Sequence, residues 1–527
     1  MRHFFYFLTL FIGISSWAQF GSISSQYCIY STESDIPIKE ALLGNGNRII
    51  LLLSNSDAYY DKTENARGEH DFWVLCLDQN NQIIWQKTIG GIGFDLPSGL
   101  LITEDQSIYI FGSTLSPLSF EQTNELYGDT DAWLIKMTST GTILWNKNYG
   151  GAQDDDFNEI IELPSGNILT FGVSYSGVSG NKTSTNYGWS DIWCIKLSPN
   201  GEIINDVSIG GEDHELKPIV IQTAPNQIKL AAFSFSDISG LKTEPSYGSS
   251  DIWVLDLDTN CNLLQQKSIG GSADDRPSDL LMNINGDLLI LAESTSNQSG
   301  LKTENSFGET DSWILKLDDQ LNIIQQKTVG SDLQDFGGQF IEWPNGNICV
   351  AVNSFSNTNV FKSAPRIGAT DIWMFALDGN LIFLTDKTLG TNQFEFLATL
   401  RLNPNLTDIH LLVGTTGGDS NDKTCMNYGD EDLWGLTLNS TLQTNYIQPT
   451  TSLKVYPNPS TGVFSFEGLA DLSGPLCIQV SNTYGQIVWE ESITDANQQF
   501  TIESPGVYLV SILENDQMVQ TVILLRY

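Results

Sequence analysis

An Asp-x-Trp triplet returns on a fixed ruler through most of this 527-residue chain. Asp71-Phe72-Trp73, Asp131-Ala132-Trp133, Asp191-Ile192-Trp193, Asp251-Ile252-Trp253, Asp311-Ser312-Trp313 and Asp371-Ile372-Trp373 stand 60 residues apart, and Asp432-Leu433-Trp434 follows after 61. A repeat of this length marks one supersecondary unit copied along the chain, each copy burying its apolar faces on its neighbours. Such an array absorbs several hundred residues into one body, which overrides the three or four domains that length alone suggests.

Each copy contains four short runs with the composition of strands. In the copy ending at Trp193 they are 157–162, 167–174, 191–197 and 202–209. Ser165-Gly166, Asn285-Gly286 and Asn345-Gly346 join first to second runs, and Asn200-Gly201 and Asp378-Gly379 join third to fourth. These dipeptides supply the positive φ of tight hairpins. The third run is apolar on both faces, as in Phe72, Trp73, Val74, Leu75, Cys76 and Leu77, so both faces must be covered. Four antiparallel strands stacked between like neighbours form a blade, and blades set radially form a propeller. The expected fold is all-β: a seven-bladed β-propeller over residues 19–447. The first blade opens near 36–42, and the last ends its third strand at 432–438. Its fourth strand is either 442–446 or the N-terminal 26–30, which sits at the matching ruler position. The second option is favoured because it latches the two ends of the array.

The units Ser190-Asp191-Ile192-Trp193-Cys194-Ile195-Lys196-Leu197, then Asn200-Gly201 and Gly210-Gly211, with a second strand ending Phe171-Gly172, resemble the bacterial β-propeller repeat family whose units read D-x-[FW]-x-x-K-L-x-x-x-G and then G-G-x-x-x-D. The resemblance spans roughly residues 30–440. It implies a scaffold and no particular activity.

The two ends differ from the array. Residues 1–18 read as a secretory signal, with Arg2 in the n-region, an apolar stretch from Phe4 to Ile14 and a Ser16-Trp17-Ala18 cleavage site. The stretch is too short to remain as a membrane span, and no cysteine follows the site for a lipid anchor. The mature chain is therefore expected to hold no transmembrane segment. After a linker at 448–452 the ruler stops, and residues 453–527 form a separate unit of six or seven short strands, the pattern of a small immunoglobulin-like β-sandwich. This unit carries Val455-Tyr456-Pro457-Asn458-Pro459-Ser460-Thr461-Gly462-Val463-Phe464, then Asn482-Thr483-Tyr484-Gly485-Gln486, then Gly506-Val507-Tyr508. Those motifs, in that order, resemble the type A C-terminal sorting domain of the type IX (Por) secretion system of Bacteroidetes. The resemblance implies export across both membranes, type IX machinery as a partner, and a secreted or outer-surface location. Family members end in a Lys and an apolar tail, whereas this chain ends Leu524-Leu525-Arg526-Tyr527.

Charge narrows the partners. Lys+Arg 25 against Asp+Glu 63 gives a net charge of -38, which repels nucleic acid and anionic lipid. The seven cysteines show no CxxC pair and share no ruler position. They are expected as small core residues rather than a disulfide framework or a zinc site. No cofactor motif is present; acid-rich turns at Asp154-Asp155-Asp156, at Asp129 with Asp131, and at Asp430-Glu431-Asp432 offer the oxygens of a calcium site.

A residue repeated seven times is scaffold before it is chemistry. Asp71, Asp131, Asp191, Asp251, Asp311, Asp371 and Asp432 are expected to bond turn amides, and Trp73, Trp133, Trp193, Trp253, Trp313, Trp373 and Trp434 to fill the gaps between blades. The same holds for the series from Gly90-Gly91 with Asp95 to Gly390 with Glu395, for Ser56 through Ser356 to Thr416, and for Lys62 through Lys362 to Lys423, which Gln122 interrupts. These loops collect on one rim. Function is expected where symmetry breaks on that rim: at Tyr59, Tyr60, Arg67, His70, Trp189, His214, Arg276, Arg366 and Phe394, since exposed aromatics beside polar groups suit sugar or peptide. Enzyme signatures such as H-E-x-x-H, G-x-S-x-G or a phosphate loop are absent. The reading is a non-catalytic binding or adhesion module for an extracellular glycan or protein; the alternative is a polysaccharide-degrading enzyme, glycosidase or lyase, on the same ring.

Overall fold

Each 60-residue copy builds one antiparallel sheet of four strands. In the third blade Asp155–Glu162 pairs with Ile168–Ser174, which pairs with Asp191–Leu197, which pairs with Ile203–Ile209. The computed structural model describes residues 17–404 and 407–443 and, beyond them, strands between 454 and 526. It divides into one unit of Ala18–Leu442 and a second from Gln443 onward. Six sheets of sequence-consecutive strands open with Asp35–Leu42, Asp95–Ile102, Asp155–Glu162, Glu215–Ala224, Asp275–Met282 and Asp335–Glu342. The seventh consists of Glu395–Leu402, Ile409–Thr415, Asp432–Gln443 and the N-terminal strand Trp17–Ile29. The described residues contain no helix, so none long and apolar enough to cross a membrane.

The core is a set of apolar seams between blades. Third strands such as Asp71–Leu77 and Asp251–Leu257 are buried at every position, as their two-faced apolar composition requires. All seven repeated tryptophans are 0% exposed. Each packs on the preceding blade: Trp133 lies with Ile49, Phe72 and Val74, and Trp253 with Leu169, Phe171 and Ile192. The hairpin glycines Gly166, Gly201, Gly286 and Gly346 have positive φ, while the turn at Asp378-Gly379 places its left-handed residue at Leu381, φ 56°.

Ring closure follows the favoured option. The latch is in register with the array, since Gln26 Oε1 accepts the Trp434 indole N–H at 3.1 Å just as Gln86 accepts that of Trp73 at 3.1 Å. Residues 442 and 443 continue the third strand instead.

The cysteine expectation needs correction. Cys28 of the latch is bonded to Cys425 of the seventh blade, Cα–Cα 6.4 Å, and Cys194 of the third blade to Cys261 of the fourth, Cα–Cα 6.5 Å. Cys76 and Cys349 are free and buried, as expected of core residues. The pairs were hidden because their members lie 397 and 67 residues apart at unlike ruler positions. Only ring closure and blade-to-blade contact bring them together.

In the second unit, Lys454–Tyr456, Val463–Glu467 and Gln499–Thr501 form one antiparallel sheet. Ile487–Ile493, Leu476–Asn482, Gly506–Glu514 and Gln517–Arg526 form another. Phe464, Gly506 and Tyr508 lie in these strands. Pro457, Asn458, Pro459, Gly462, Gly485, the expected linker at 448–452 and residues 1–16 of the expected signal lie outside the described residues.

Candidate functional site

The long connections between second and third strands and the links between blades share one face, stitched by single bridges such as His70 to Phe94, Ser190 to His214 and Thr370 to Phe394. The repeated residues hold this face together. Each third-strand aspartate reaches back four residues to a loop amide: Asp71 accepts from Arg67 N at 2.6 Å, Asp131 from Tyr127 N at 2.8 Å and Asp432 from Tyr428 N at 2.8 Å. Its other oxygen presses on the glycine opening the next link, so a Cβ on Gly210 would stand 2.1 Å from Asp191 Oδ1.

The first-strand acids tie the two loop sets together. Asp95 accepts from Thr114 Oγ1 at 2.5 Å, Ser116 Oγ at 2.9 Å and Gly91 N at 2.6 Å. The six repeated lysines are no more than 2% exposed. Lys62 and Lys302 donate to Ser54 and Ser294 hydroxyls at 2.6 Å and lie over the Trp73 and Trp313 rings. The lysines therefore belong to the scaffold. In the seventh blade the hydroxyl series is displaced: Gly417, not Thr416, holds the position of Ser356, because the extra residue of the 61-residue step falls before strand Ile409–Thr415. Thr391 stands where Gly91, Gly151, Gly211 and Gly271 supply the second glycine of four other links, and its hydroxyl donates to Glu395 at 2.5 Å.

Burial of these acids gives the protein an unusual pH response. Burial first, with a carboxyl of the adjoining blade adding to it at Asp35, Asp95, Asp131 and Asp191, lifts those groups and Asp335 to about 6. In the unfolded chain such groups titrate near 3.9. A carboxyl raised on folding contributes stability when protonated, fully below about 4, and loses it as pH rises through about 6. The melting temperature is therefore expected to rise as pH falls from about 7 to about 5. A melt that weakens steadily over that interval would contradict this.

The symmetry-breaking rim residues fall into separate groups. Tyr59 and Tyr60 join Tyr30 and Tyr428 in a cluster with ring centroids 4.5–5.5 Å apart. Arg67 pairs with Glu121 and Glu64, each at 3.1 Å, and lies over Phe120 at 5.6 Å. His70 stacks on Phe94 at 5.3 Å. Trp189, 71% exposed, and His214 come together at 6.2 Å, with Tyr175 and Phe235 against the same imidazole. Arg276 pairs with Asp274 at 3.4 Å and covers Phe233. Arg366 caps the Phe355 and Ala369 carbonyls of its own loop, and Phe394 stacks on Phe396 at 6.4 Å.

Reasoning from sequence missed Tyr30, Phe120 and Tyr428, and also three charged residues on the first strands, which run side by side around the axis. Lys39, Glu159 and Asp279 come from the first, third and fifth blades and occupy one ruler position, where the other blades carry Gly99, Ile219, Gln339 and Thr399. Burial, with Asp279 adding and Lys39 opposing, pushes Glu159 up to about 7. Asp279 accepts the Phe340 and Leu280 amides, each at 2.9 Å. The divergence of this position within an otherwise regular repeat was the available signal.

Two carboxylates of the first acid-rich turn are bound within the scaffold. Asp155 accepts from Ser176 and Gly151, and Asp156 from Val173 N at 2.9 Å. Among the described residues no three His, Cys, Asp or Glu side chains converge as a metal site.

Residues 454–525 match the family model of the secretion system C-terminal sorting domain. No curated protein matches the chain in sequence. Among solved structures it is similar to a protein of unknown function from Bacteroides caccae, at 12% identity over 60% of this chain and 90% of that one, TM-score 0.33. It is also similar to a polysaccharide lyase of the ulvan lyase type, 12% identical over 80% and 95%, TM-score 0.47. A third is the GH93 α-L-arabinofuranosidase of Fusarium graminearum, 13% identical over 64% and 91%, TM-score 0.38. Likenesses at these scores carry no argument about chemistry. The chain is thus a seven-bladed propeller exported to the cell surface or secreted, with a C-terminal sorting domain that implies the type IX secretion machinery.

Proposed function

We propose that the propeller binds a glycan across its long-loop face without cleaving it there. One observation carries the reading. Tyr60 and Phe120 adopt left-handed backbone, φ 49° and 48°, at the turn position where the next three blades have Gly180, Gly240 and Gly300 at φ 57°, 54° and 53°. A side chain in that conformation costs about 1 kcal/mol relative to glycine. Tyr60 is 50% and Phe120 62% exposed, so burial offsets little of that. Flat rings beside hydroxyls and the Arg67 guanidinium suit the C–H faces and oxygens of sugars.

The test separates stability from binding. Phe120→Gly and Tyr60→Gly in the mature chain are expected to hold or raise unfolding stability, by up to about 1 kcal/mol, while glycan-array retention falls about tenfold or more. Unchanged retention in both variants, or no retained glycan for the wild type, would overturn the reading.

A second reading, cleavage of polysaccharide, rests on Glu159, Asp279 and Lys39 around the axis. It requires release of new sugar ends that Glu159→Gln abolishes.

A further inference from the structure

One seam departs from the other six. Where the first blade meets the seventh, the core position held elsewhere by Leu100, Ile160, Val220, Leu280, Phe340 and Leu400 is occupied by Glu40. The positions of Arg48 and Arg401 are likewise filled by apolar residues in every other blade. Glu40 is 4% exposed, Arg48 6% and His410 3%. Burying these groups is at best neutral against an apolar seam, so stability does not explain them.

The polar groups form an ordered chain. Glu40 Oε1 accepts from Arg401 at 2.7 Å, and Glu40 Oε2 lies 2.9 Å from His410 Nε2. The opposite ring nitrogen, His410 Nδ1, lies 3.2 Å from the Thr437 hydroxyl. His410 and Thr437 line a cleft of about 700 Å³ that Ser24, Ser25, Asn81 and Asn403 also border. The Glu40 side chain is wholly buried behind them. His410 and the two guanidiniums overcome the opposing effect of burial and hold Glu40 down at about 2. Burial outweighs the pull of Glu40 and lowers the His410 imidazole from its ordinary value. In the neutral imidazole an ionised Glu40 accepts the Nε2–H and so presents a bare Nδ1 to Thr437.

We propose that this cleft is an esterase-type site in which Thr437 is the nucleophile, His410 the general base and Glu40 the positioning residue. The order is that of an activated hydroxyl: nucleophile on base, base on a buried acid. The Thr437 oxygen attacks an ester carbonyl as its proton passes to His410 Nδ1. The tetrahedral adduct expels the alcohol, which takes that proton, and leaves an acyl-threonine. Water, deprotonated by His410, then releases the carboxylic acid and restores the hydroxyl. The Arg401 guanidinium, 18% exposed in the same wall, is the cation that would face the developing oxyanion. The hydroxyls and amides around the cleft select a small polar ester, such as an acylated sugar, over a fatty one. This site is independent of the glycan-binding reading and lies on the short-loop face, away from the aromatic rim.

The mature chain should release nitrophenolate from 4-nitrophenyl acetate and take up a fluorophosphonate on Thr437, located by peptide mass spectrometry. Thr437→Val, which keeps the shape of the side chain, and His410→Gln should lower turnover about 100-fold or more. Thr437→Ser should keep it. Turnover no faster than that of Thr437→Val, or a fluorophosphonate found only on another hydroxyl, overturns the proposal. Melting curves of both inactive variants accompany the assay; because Thr437→Ser retains the hydroxyl, its failure to turn over in a folded chain counts against the site as well.

Discussion

A mature chain lacking residues 19–29 is expected to lose its cooperative unfolding transition. Without that segment the seventh blade keeps three strands, and the edge of Asp432–Gln443 is left unpaired. The Trp434 indole N–H loses Gln26. Ile29, 3% exposed, leaves the seam it shares with Trp73, Leu412 and Leu433. An open propeller exposes two apolar blade faces at once, which no local repair covers. The covalent part of the latch is separable. Changing Cys28 and Cys425 to Ser together keeps the strand but frees a loop of 397-residue separation, and is expected to lower unfolding free energy by about 2–4 kcal/mol. Denaturant titration of the two proteins, with and without reductant, measures both effects. A truncated chain that unfolds at the wild-type midpoint would mean that the ring is closed by something other than this strand.

Trp193→Ala should cost about 3–5 kcal/mol. The ring is 0% exposed and fills the seam beside Tyr109, Ala132 and Leu134 of the preceding blade. Its indole N–H donates to Asp206 at 3.1 Å, and the Lys182 ammonium lies 4.9 Å from its centre. Truncation therefore opens a cavity, removes one donor from a carboxylate and strips a buried cation of its aromatic partner. Trp193→Phe keeps most of the apolar contact and should lose about 1–2 kcal/mol, mainly the hydrogen bond. A Trp193→Ala midpoint within about 1 kcal/mol of wild type would show that the seam collapses around the gap and that the repeated tryptophan does not wedge the blades apart.

These two variants mark the boundary of what the primary structure discloses. Trp193 was legible because its role recurs seven times at one spacing, and a local geometric need met repeatedly leaves a periodic trace. The aspartates were legible for the same reason, down to their loop amides. The disulfide partners were not: each pair forms once, between blades or between chain ends, and a contact made once has no period. Thr416 was assigned to the hydroxyl series because the ruler slips by one residue there, and only strand pairing shows that Gly417 fills the place. Of the rim residues, the structure brings Trp189 and His214 together, whereas Arg366 caps carbonyls of its own loop. Glu159 escaped notice because sixty-three acids offer too many candidates until the first strands are seen to surround one axis.

By itself the amino-acid order determined the all-β class, the number of blades, the faces each strand buries and the export address, since all of these rest on short-range patterns: strand alternation, turn chemistry and terminal motifs. The tertiary structure alone decided which strand closes the ring, which cysteines meet, which tyrosines share a surface and that Glu40, His410 and Thr437 stand in line. Those facts depend on residues hundreds of positions apart becoming neighbours, and proximity of that kind is produced only when the last blade docks against the first.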